Sequence, residues 1–538
     1  MSCAHVRCCA SARRALLIWL GASLLHASAY AQTLWTHFAR GDSHNALTTQ
    51  ADGGAQLAPS HLSSPLWIAS HDNAGRVITF NGQAGPVVGC DRAFALGRSG
   101  GTSRLFAFRR ADGLCLWSVA VPNPVTDSWS TPAIDESGAA VIVAAGNRVS
   151  AFHALSGQSL WTATLSRNVV NASPLVSPDA PRRVFITDAD GFGMNGRLYC
   201  INADHFDATL NPFAPGEVLW SVAIGGSSGN TPAYADGRVL VATVGEFGFS
   251  AGSIVAFDAS ATTPPAPLWT FENVLPFGFF GGVSVKDGHA YAATYAFSGG
   301  QSAANLVKLD AATGTLKWSV PSNRTDATPI VLGDGRVVLS GGLAGFGASP
   351  SVQLFQDHGT HATMIWDTAL DTWNDTNSNG SRDPGEYLSI GGWTHQPVAI
   401  TSPASATLLV GTLPSGTGTS TPCTHLRAVD LNASPASPSF TLGSYAGAGS
   451  TPAVVGPMVY SVGVSGLHAF GPDLDVNADG SIDIEDLHAW EGPGLIAGSR
   501  DLDRDGDVDS ADLAILIAEL RRDERRDMAG PMEVGGRR

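Results

Sequence analysis

Few stretches of this chain carry helical periodicity. Short apolar runs rich in Val, Ile, Phe and Trp alternate with polar residues and stop at turn residues, as strands do. A paired unit recurs: "RLFAFRRADGLCLWSV", "RVSAFHALSGQSLWTATL", "RLYCINAD" with "EVLWSVAI", "SIVAFDAS" with "PLWTF", "NLVKLDAATGTLKWSV", "SVQLFQDHG" with "MIWDT", and "HLRAVDL" with "SFTLG". Most copies hold a strand, a turn that usually ends in glycine and a tryptophan-tagged strand, so Trp117, Trp161, Trp220, Trp269, Trp318 and Trp366 fall 44 to 59 residues apart. Ahead of most of them stands a Thr/Ser-Pro start, at Thr131-Pro132, Ser173-Pro174, Thr231-Pro232, Thr328-Pro329 and Thr451-Pro452. Proline fits the first residue of a strand, where no ladder donor is needed. The pattern predicts one four-stranded sheet per repeat, with proline opening the innermost strand and tryptophan packed between sheets. Such a sheet cannot bury both faces alone, so the repeats arrange radially. The third-strand motif starts near residues 104, 148, 197, 253, 305, 351, 425 and 466. The last copy, "GLHAFGPD", lacks a fourth strand, and "SPLWIAS" near the N-terminus is a fourth strand without its other three. Setting Leu66-Trp67-Ile68 beside Leu467-His468-Ala469 closes an all-β, eight-bladed propeller over residues 32–472. The ragged fifth and seventh repeats leave seven blades as the alternative count.

The pattern changes at both ends. Residues 1–31 combine Arg7, Arg13 and Arg14, the apolar stretch "ALLIWLGASLL" and the A-x-A site Ala29-Tyr30-Ala31, which predict a signal peptide cleaved near Ala31. At the other end, two helix-like runs (Leu487, Trp490; Leu513, Leu516, Leu520) each follow an acidic bend. In "DLDRDGDVDSAD", oxygen-bearing side chains fall at positions one, three, five, seven, nine and twelve: Asp501, Asp503, Asp505, Asp507, Asp509 and Asp512. "DVNADGSIDIED" repeats the spacing with Asp475, Asn477, Asp479, Ser481, Asp483 and Asp486. Gly506 and Gly480 stand at six, Val508 and Ile482 at eight. Two carboxylates ~4 Å apart repel by about 4 kcal/mol at an effective dielectric near 20, so such bends stay open unless a cation offsets them. The spacing is that of a twelve-residue calcium loop. A calcium-folded knob over residues 473–525 is expected, followed by a disordered tail, 526–538. A third loop of this spacing, with fewer carboxylates, lies in the long interval before the seventh repeat: Asp375, Asn377, Asn379, Ser381, Asp383 and Glu386, with Gly380 at six. Trp366, Trp373 and Trp393 flank it, either as a binding surface or as blade packing.

Loss of three arginines with the signal peptide takes the formal charge from −16 to −19, which argues against a nucleic-acid surface. Cys90, Cys115, Cys200 and Cys423 remain, too few and too scattered for a disulfide framework. Buried packing thiols are expected; a Cys90–Cys115 bridge is the local alternative.

The repeats resemble the pyrroloquinoline-quinone-like propeller family over about residues 35–472. "LDAATGTLKWSV" is close to that repeat's signature, and "WTHFARGDSHNA" (Trp35, Phe38, Asp42, Asn45) resembles the opening segment of secreted, non-enzymatic members. Residues 473–525 resemble a type I dockerin, a calcium-folded module that plugs secreted proteins into a cohesin-bearing scaffold. The run Trp490-Glu491-Gly492-Pro493-Gly494 departs from that pattern by interrupting the first helix. The resemblances imply a secreted binding or scaffold protein attached through its tail, a setting that includes polysaccharide-degrading systems. Quinoprotein dehydrogenases share the propeller, but the chain after residue 31 has no adjacent cysteines, no C-x-x-C-H and no H-E-x-x-H, and no catalytic residues are assigned. Outer-membrane assembly propellers are a further alternative; their acylated cysteine after the signal is missing here.

Overall fold

The computed structural model describes residues 34–49, 59–80, 82–89, 91–124, 128–135, 137–246, 249–413, 421–477, 482–492, 500–502 and 508–528. The expected signal peptide, Cys90, Asp479, Ser481, Asp503, Asp505, Asp507 and residues 529–538 lie outside them.

Eight sheets of four main antiparallel strands follow one another along the chain: blade 1 (residues 78–120), blade 2 (133–164), blade 3 (175–223), blade 4 (233–272), blade 5 (284–322), blade 6 (330–367), blade 7 (398–446) and blade 8 (448–470 with 67–69). Third strands start at Thr102, Arg148, Arg197, Ser253, Ala304, Ser351, His425 and Gly466, within two residues of the expected positions. The ring closes in blade 8, where Trp67 pairs with Ala469, Ile68 with His468 and Ala69 with Leu467. Eight blades, not seven, is the count. Inner strands begin one residue after Pro132, Pro174, Pro232, Pro329 and Pro397. Pro452 lies inside the strand Ala448–Val455, where a register shift between Ser450 and Ala453 accommodates it.

The signature of the repeat is an inter-blade latch. Each outer-strand tryptophan reaches the turn between strands three and four of the next blade. Trp67, Trp117 and Trp220 donate Nε1–H to the carbonyls of Arg110 (2.8 Å), Ala154 (3.1 Å) and Ala261 (2.7 Å), and Trp318 donates to Asp357 Oδ1 (2.9 Å). The turn glycine must be bare because the indole lies on it. A Cβ on Gly113, Gly157 or Gly314 would stand 2.5, 2.8 or 2.4 Å from the ring of Trp67, Trp117 or Trp269, and all three glycines hold positive φ. Trp366 instead meets Phe440 edge-on at 5.6 Å, and Tyr445 meets Phe470 at 5.1 Å. Cys115, Cys200 and Cys423 are free and buried, so the Cys90–Cys115 alternative does not form. Burial pushes the Cys200 thiol up to about 12.

Beyond the blades, Ile484–Glu491 is a helix whose N-cap Asp483 and N3 Asp486 form a capping box, and Ser510–Met528 is a second helix. Leu502, Ile515, Leu516 and Leu520 lie in the same apolar core as Trp67, Tyr460 and Phe470 of the propeller. Trp490 Nε1 donates to the Arg500 carbonyl at 3.1 Å, tying the first helix to the approach of the second loop.

Replacing Trp117 with alanine should cost about 3–5 kcal/mol, as for a large buried aromatic. Gly157→Ala, which fills the other half of the same latch, should destabilise through both the contact and the positive φ. Urea midpoints of the two variants check this; a wild-type midpoint for either contradicts the latch.

Candidate functional site

The segment Leu34–Thr49 runs inside the ring and meets the innermost strands in turn. Trp35 pairs with Val88 of blade 1, and the Thr36 carbonyl accepts from Ile134 N–H of blade 2. His37 Nε2 accepts from Val176 N–H of blade 3, and the Asp42, Ser43 and Ala46 carbonyls accept from Tyr234, Val285 and Ala399 of blades 4, 5 and 7. Asn45 exchanges two bonds with the Val331 backbone of blade 6. Positive φ at Ala39, Arg40 and His44 bends the segment round the axis. Above it the Thr/Ser-Pro starts form a relay: Gly85 N–H donates to Thr131 Oγ1 (3.1 Å), Thr131 N–H to Ser173 Oγ (2.9 Å), and Ser173 N–H to Thr231 Oγ1 (2.9 Å). Thr328 N–H donates to Gln396 Oε1 (2.8 Å), and Thr451 Oγ1 to the Gln83 carbonyl (2.7 Å). The hydroxyl therefore joins neighbouring blades while the proline opens the strand. Neither the threading nor the relay was read from the sequence; the recurrent hydroxyl before proline was its only signal.

In the segments leading into the inner strands, Ser130 Oγ, Asn230 Oδ1, Asp326 Oδ1 and Thr394 Oγ1 are buried without a hydrogen-bond partner, as are both ring nitrogens of His44. Burial holds the Asp326 carboxyl well above the usual range. Each such group costs about 1–3 kcal/mol if left dry, so these positions call for ordered water or a small polar ligand.

The mouth of the ring is aromatic. Trp129 of the lead into blade 2 touches Trp393 of the lead into blade 7 at 6.2 Å, and Trp393 touches Tyr295 at 5.6 Å. Tyr295 continues to Phe280 (5.4 Å) and Phe297 (5.0 Å), and Phe297 to Phe192 (6.2 Å) and Phe249 (5.0 Å). Phe192 and Phe249 are 48% and 69% exposed, unusual for rings that lie in contact with so many others. Beside them a cavity of about 610 Å³ is lined by Phe192, Phe280, Asn147, Asn168, Asn171 and Arg167. Ser166 and Arg167 also line a second cavity, of about 730 Å³, between blades 2 and 3. In its wall Tyr199 Oη donates to Asp188 Oδ2 at 2.7 Å. Gly225-Gly226-Ser227-Ser228-Gly229 has the spacing of a nucleophile elbow, but it joins two blades with no helix behind it, and Ser227 Oγ accepts from Asp190 N–H.

The oxygen-rich loops share one frame. At position twelve, Glu386 Oε1 accepts from the Thr376 and Asn377 amides and Oε2 from Asp383. Asp486 accepts from Asn477 and Asp483, and Asp512 from Leu502 and Asp509. The third loop thus closes as the C-terminal pair does. Its hydrogen bonds with Thr376 and the neighbouring amides hold the Glu386 carboxyl below its ordinary range, whereas burial raises that of Asp486. In the same loop Asn377 and Asn379 both reach Asp383 Oδ2 (2.8 and 2.6 Å), Asp375 Oδ2 accepts from Gly380 N–H, and Ser381 N–H donates to Asn379 Oδ1. Gly380 takes a φ of 71°, the sharp turn expected at position six. Asp375, Asn377, Asn379 and Asp383 are thereby brought together, with the amide nitrogens of Asn377 and Asn379 turned to the Asp383 carboxylate. Among the described residues no cluster of three His, Cys, Asp or Glu stands together as a cage, either in the loop from Asp375 to Glu386 or in the C-terminal pair, where the closing contacts of Asp486 and Asp512 link the loop ends. The flanking tryptophans divide: Trp366 is blade packing, Trp373 lies under Arg382 beside the loop, and Trp393 belongs to the mouth.

A family model described as "Outer membrane protein assembly factor BamB" matches residues 50–205. Among solved structures, a europium-containing methanol dehydrogenase superposes with a TM-score of 0.53 at 9% identity, covering 83% of this chain and 91% of that one. The chain shares that protein's fold. Quinohemoprotein alcohol dehydrogenase ADHIIG from Pseudomonas putida HK5 gives 0.52 at 12% identity, covering 81% and 76%. BamB from Moraxella catarrhalis gives 0.47 at 17%, covering 72% and 92%. No curated protein matches the chain. Among the described residues no helix is long and apolar enough to cross a membrane.

Burial holds His37 at about 4 and His44 and His395 at about 3, with His37 Nε2 and His395 Nε2 accepting backbone N–H groups in their neutral forms. The unfolded chain binds these protons near pH 6.5 and the folded chain does not, so stability is full above that pH and falls as pH drops toward 4. The slope is about 1.4 kcal/mol per pH unit for each histidine. Urea midpoints at pH 7 and 5 should show the loss, and His37→Gln should make it shallower; a midpoint that rises on acidification contradicts the assignment.

Proposed function

We propose that this is a secreted, non-catalytic binding propeller, exported by cleavage near Ala31 to the periplasm or cell surface, whose aromatic mouth takes a carbohydrate chain. The observation that carries the reading is the run of touching rings from Trp129 to Phe249, open to solvent at Phe192 and Phe249 and bordered by asparagines and Arg167. Ring faces stack on the apolar face of a sugar while amides and guanidinium take its hydroxyls. The structural neighbours share the fold alone, and a fold of this kind hosts many activities. The family match over residues 50–205 favours one second reading, a protein-binding assembly factor.

Calcium is the proposed cofactor. It would be held by Asp375, Asn377, Asn379, Ser381, Asp383 and Glu386, by Asp475, Asn477, Asp479, Ser481, Asp483 and Asp486, and by Asp501, Asp503, Asp505, Asp507, Asp509 and Asp512. The shared position-twelve frame and the turn at Gly380 fit such an ion. Bound calcium would supply charge compensation, and the chain's own residues would do the rest by closing each loop on its backbone amides. A cohesin-like partner for residues 473–525 belongs to the same proposal.

Two measurements test these readings. Binding to a panel of soluble polysaccharides should be weakened about tenfold or more by Phe192→Ala, since stacking on one ring is worth about 1.4 kcal/mol or more; equal binding by the variant, or binding of unfolded polypeptide alone, overturns the carbohydrate reading. Calorimetric titration of the chelated full-length protein should show calcium uptake that Asp512→Asn reduces, with added amide protection in residues 484–491 and 510–528. No uptake would remove the ion from the account.

A further inference from the structure

At the seam of the ring the latch departs from its sisters. When the third-to-fourth-strand turns are aligned, Ala154, Ala203, Ala259 and Ala311 fill one slot in blades 2 to 5, and blade 1 has Arg110 there. The Arg110 carbonyl accepts the Trp67 indole N–H at 2.8 Å. Its guanidinium donates to Tyr460 Oη at 2.9 Å and pairs with Glu519 of the last helix at 2.9 Å, with the side chains only 2% and 6% exposed. Trp67 comes from the N-terminal strand, Tyr460 from blade 8 and Glu519 from the C-terminal helix, so one arginine joins both ends of the chain at the blade 8–blade 1 interface. Leu502, Ile515, Leu516 and Leu520 extend the contact into the common core. The Leu502 carbonyl lies 3.2 Å from His61 Nε2, on the short turn Pro59–Ser63 that leads to the closing strand.

We propose that the C-terminal helices are a clasp on the seam: they hold the strand Trp67–Ala69 in blade 8, and the ring opens only after the clasp lets go. The closing strand is three residues long, so its own ladder is a weak lock. An arginine in the slot that alanine fills in blades 2 to 5 brings a buried charge to the seam, and Glu519 pairs with it there. The helix face bearing Ile515, Leu516 and Glu519 is thus spent on the chain's own seam while the ring is closed. The proposal rests on neither the carbohydrate reading nor ion binding.

Hydrogen exchange on the full-length chain tests it. Glu519→Ala should speed exchange about tenfold or more in 67–69 and 467–470 and leave blades 3 to 5 at wild-type rates. Adding Arg110→Ala, which restores the alanine of the sister turns and removes the charge that Glu519 faced, should return part of that protection. Should Glu519→Ala not fold, Ile515→Ala gives the same localised pattern more mildly. Wild-type exchange in the closing strand, or acceleration spread evenly over all eight blades, would overturn the clasp.

Discussion

The contact between an outer-strand indole and the bare turn of the next blade is what turns eight weak sheets into one molecule. A four-stranded sheet has two apolar faces and no neighbour of its own, so its stability is borrowed from the sheets on either side. The repeat writes that dependence into a few residues: a tryptophan to reach across, a glycine with nothing to obstruct it, and a carbonyl to take the indole N–H. A chain of such contacts still has two unsatisfied ends. The fold resolves this by giving blade 8 three strands from the C-terminal side and one from the N-terminal side. Opening of the ring must then break the association of segments some 400 residues apart in sequence, not a local hairpin.

The interior and exterior of the ring divide the work that follows. Along the axis, Leu34–Thr49 covers the edges of seven inner strands, which would otherwise present unpaired backbone groups. The mouth, by contrast, is lined by aromatic rings in mutual contact. That contrast is why the proposed ligand is placed at the mouth, where loops between blades, not strands, would carry specificity.

Periodicity carried the fold almost completely. Third strands, the tryptophan interval and the seam at Trp67–Ala69 were all legible because each is a local pattern repeated many times. The spacing of Asp375 to Glu386 reads as a calcium loop; in the fold its twelfth residue, Glu386, accepts the Thr376 amide. What escaped were contacts made once. His37 and His44 lie inside the opening segment, and only its threading places them at the axis. Arg110 looked like an ordinary turn residue; its oddness shows only when the turns are stacked and the alanines line up. The docking of Ile515 and Leu516 on the propeller has no sequence signature, because an apolar helix face does not name what covers it.

The central claim is that strand 67–69 closes the ring beside strand 466–470 of the same chain. Cysteines at Ile68 and His468, which face each other across that pair, test it directly. After oxidation, peptide mapping by mass spectrometry should find an intramolecular link between the two positions in a monomer that unfolds at higher urea than its reduced form. No link, or links only between molecules, would contradict the closure and the account built on it.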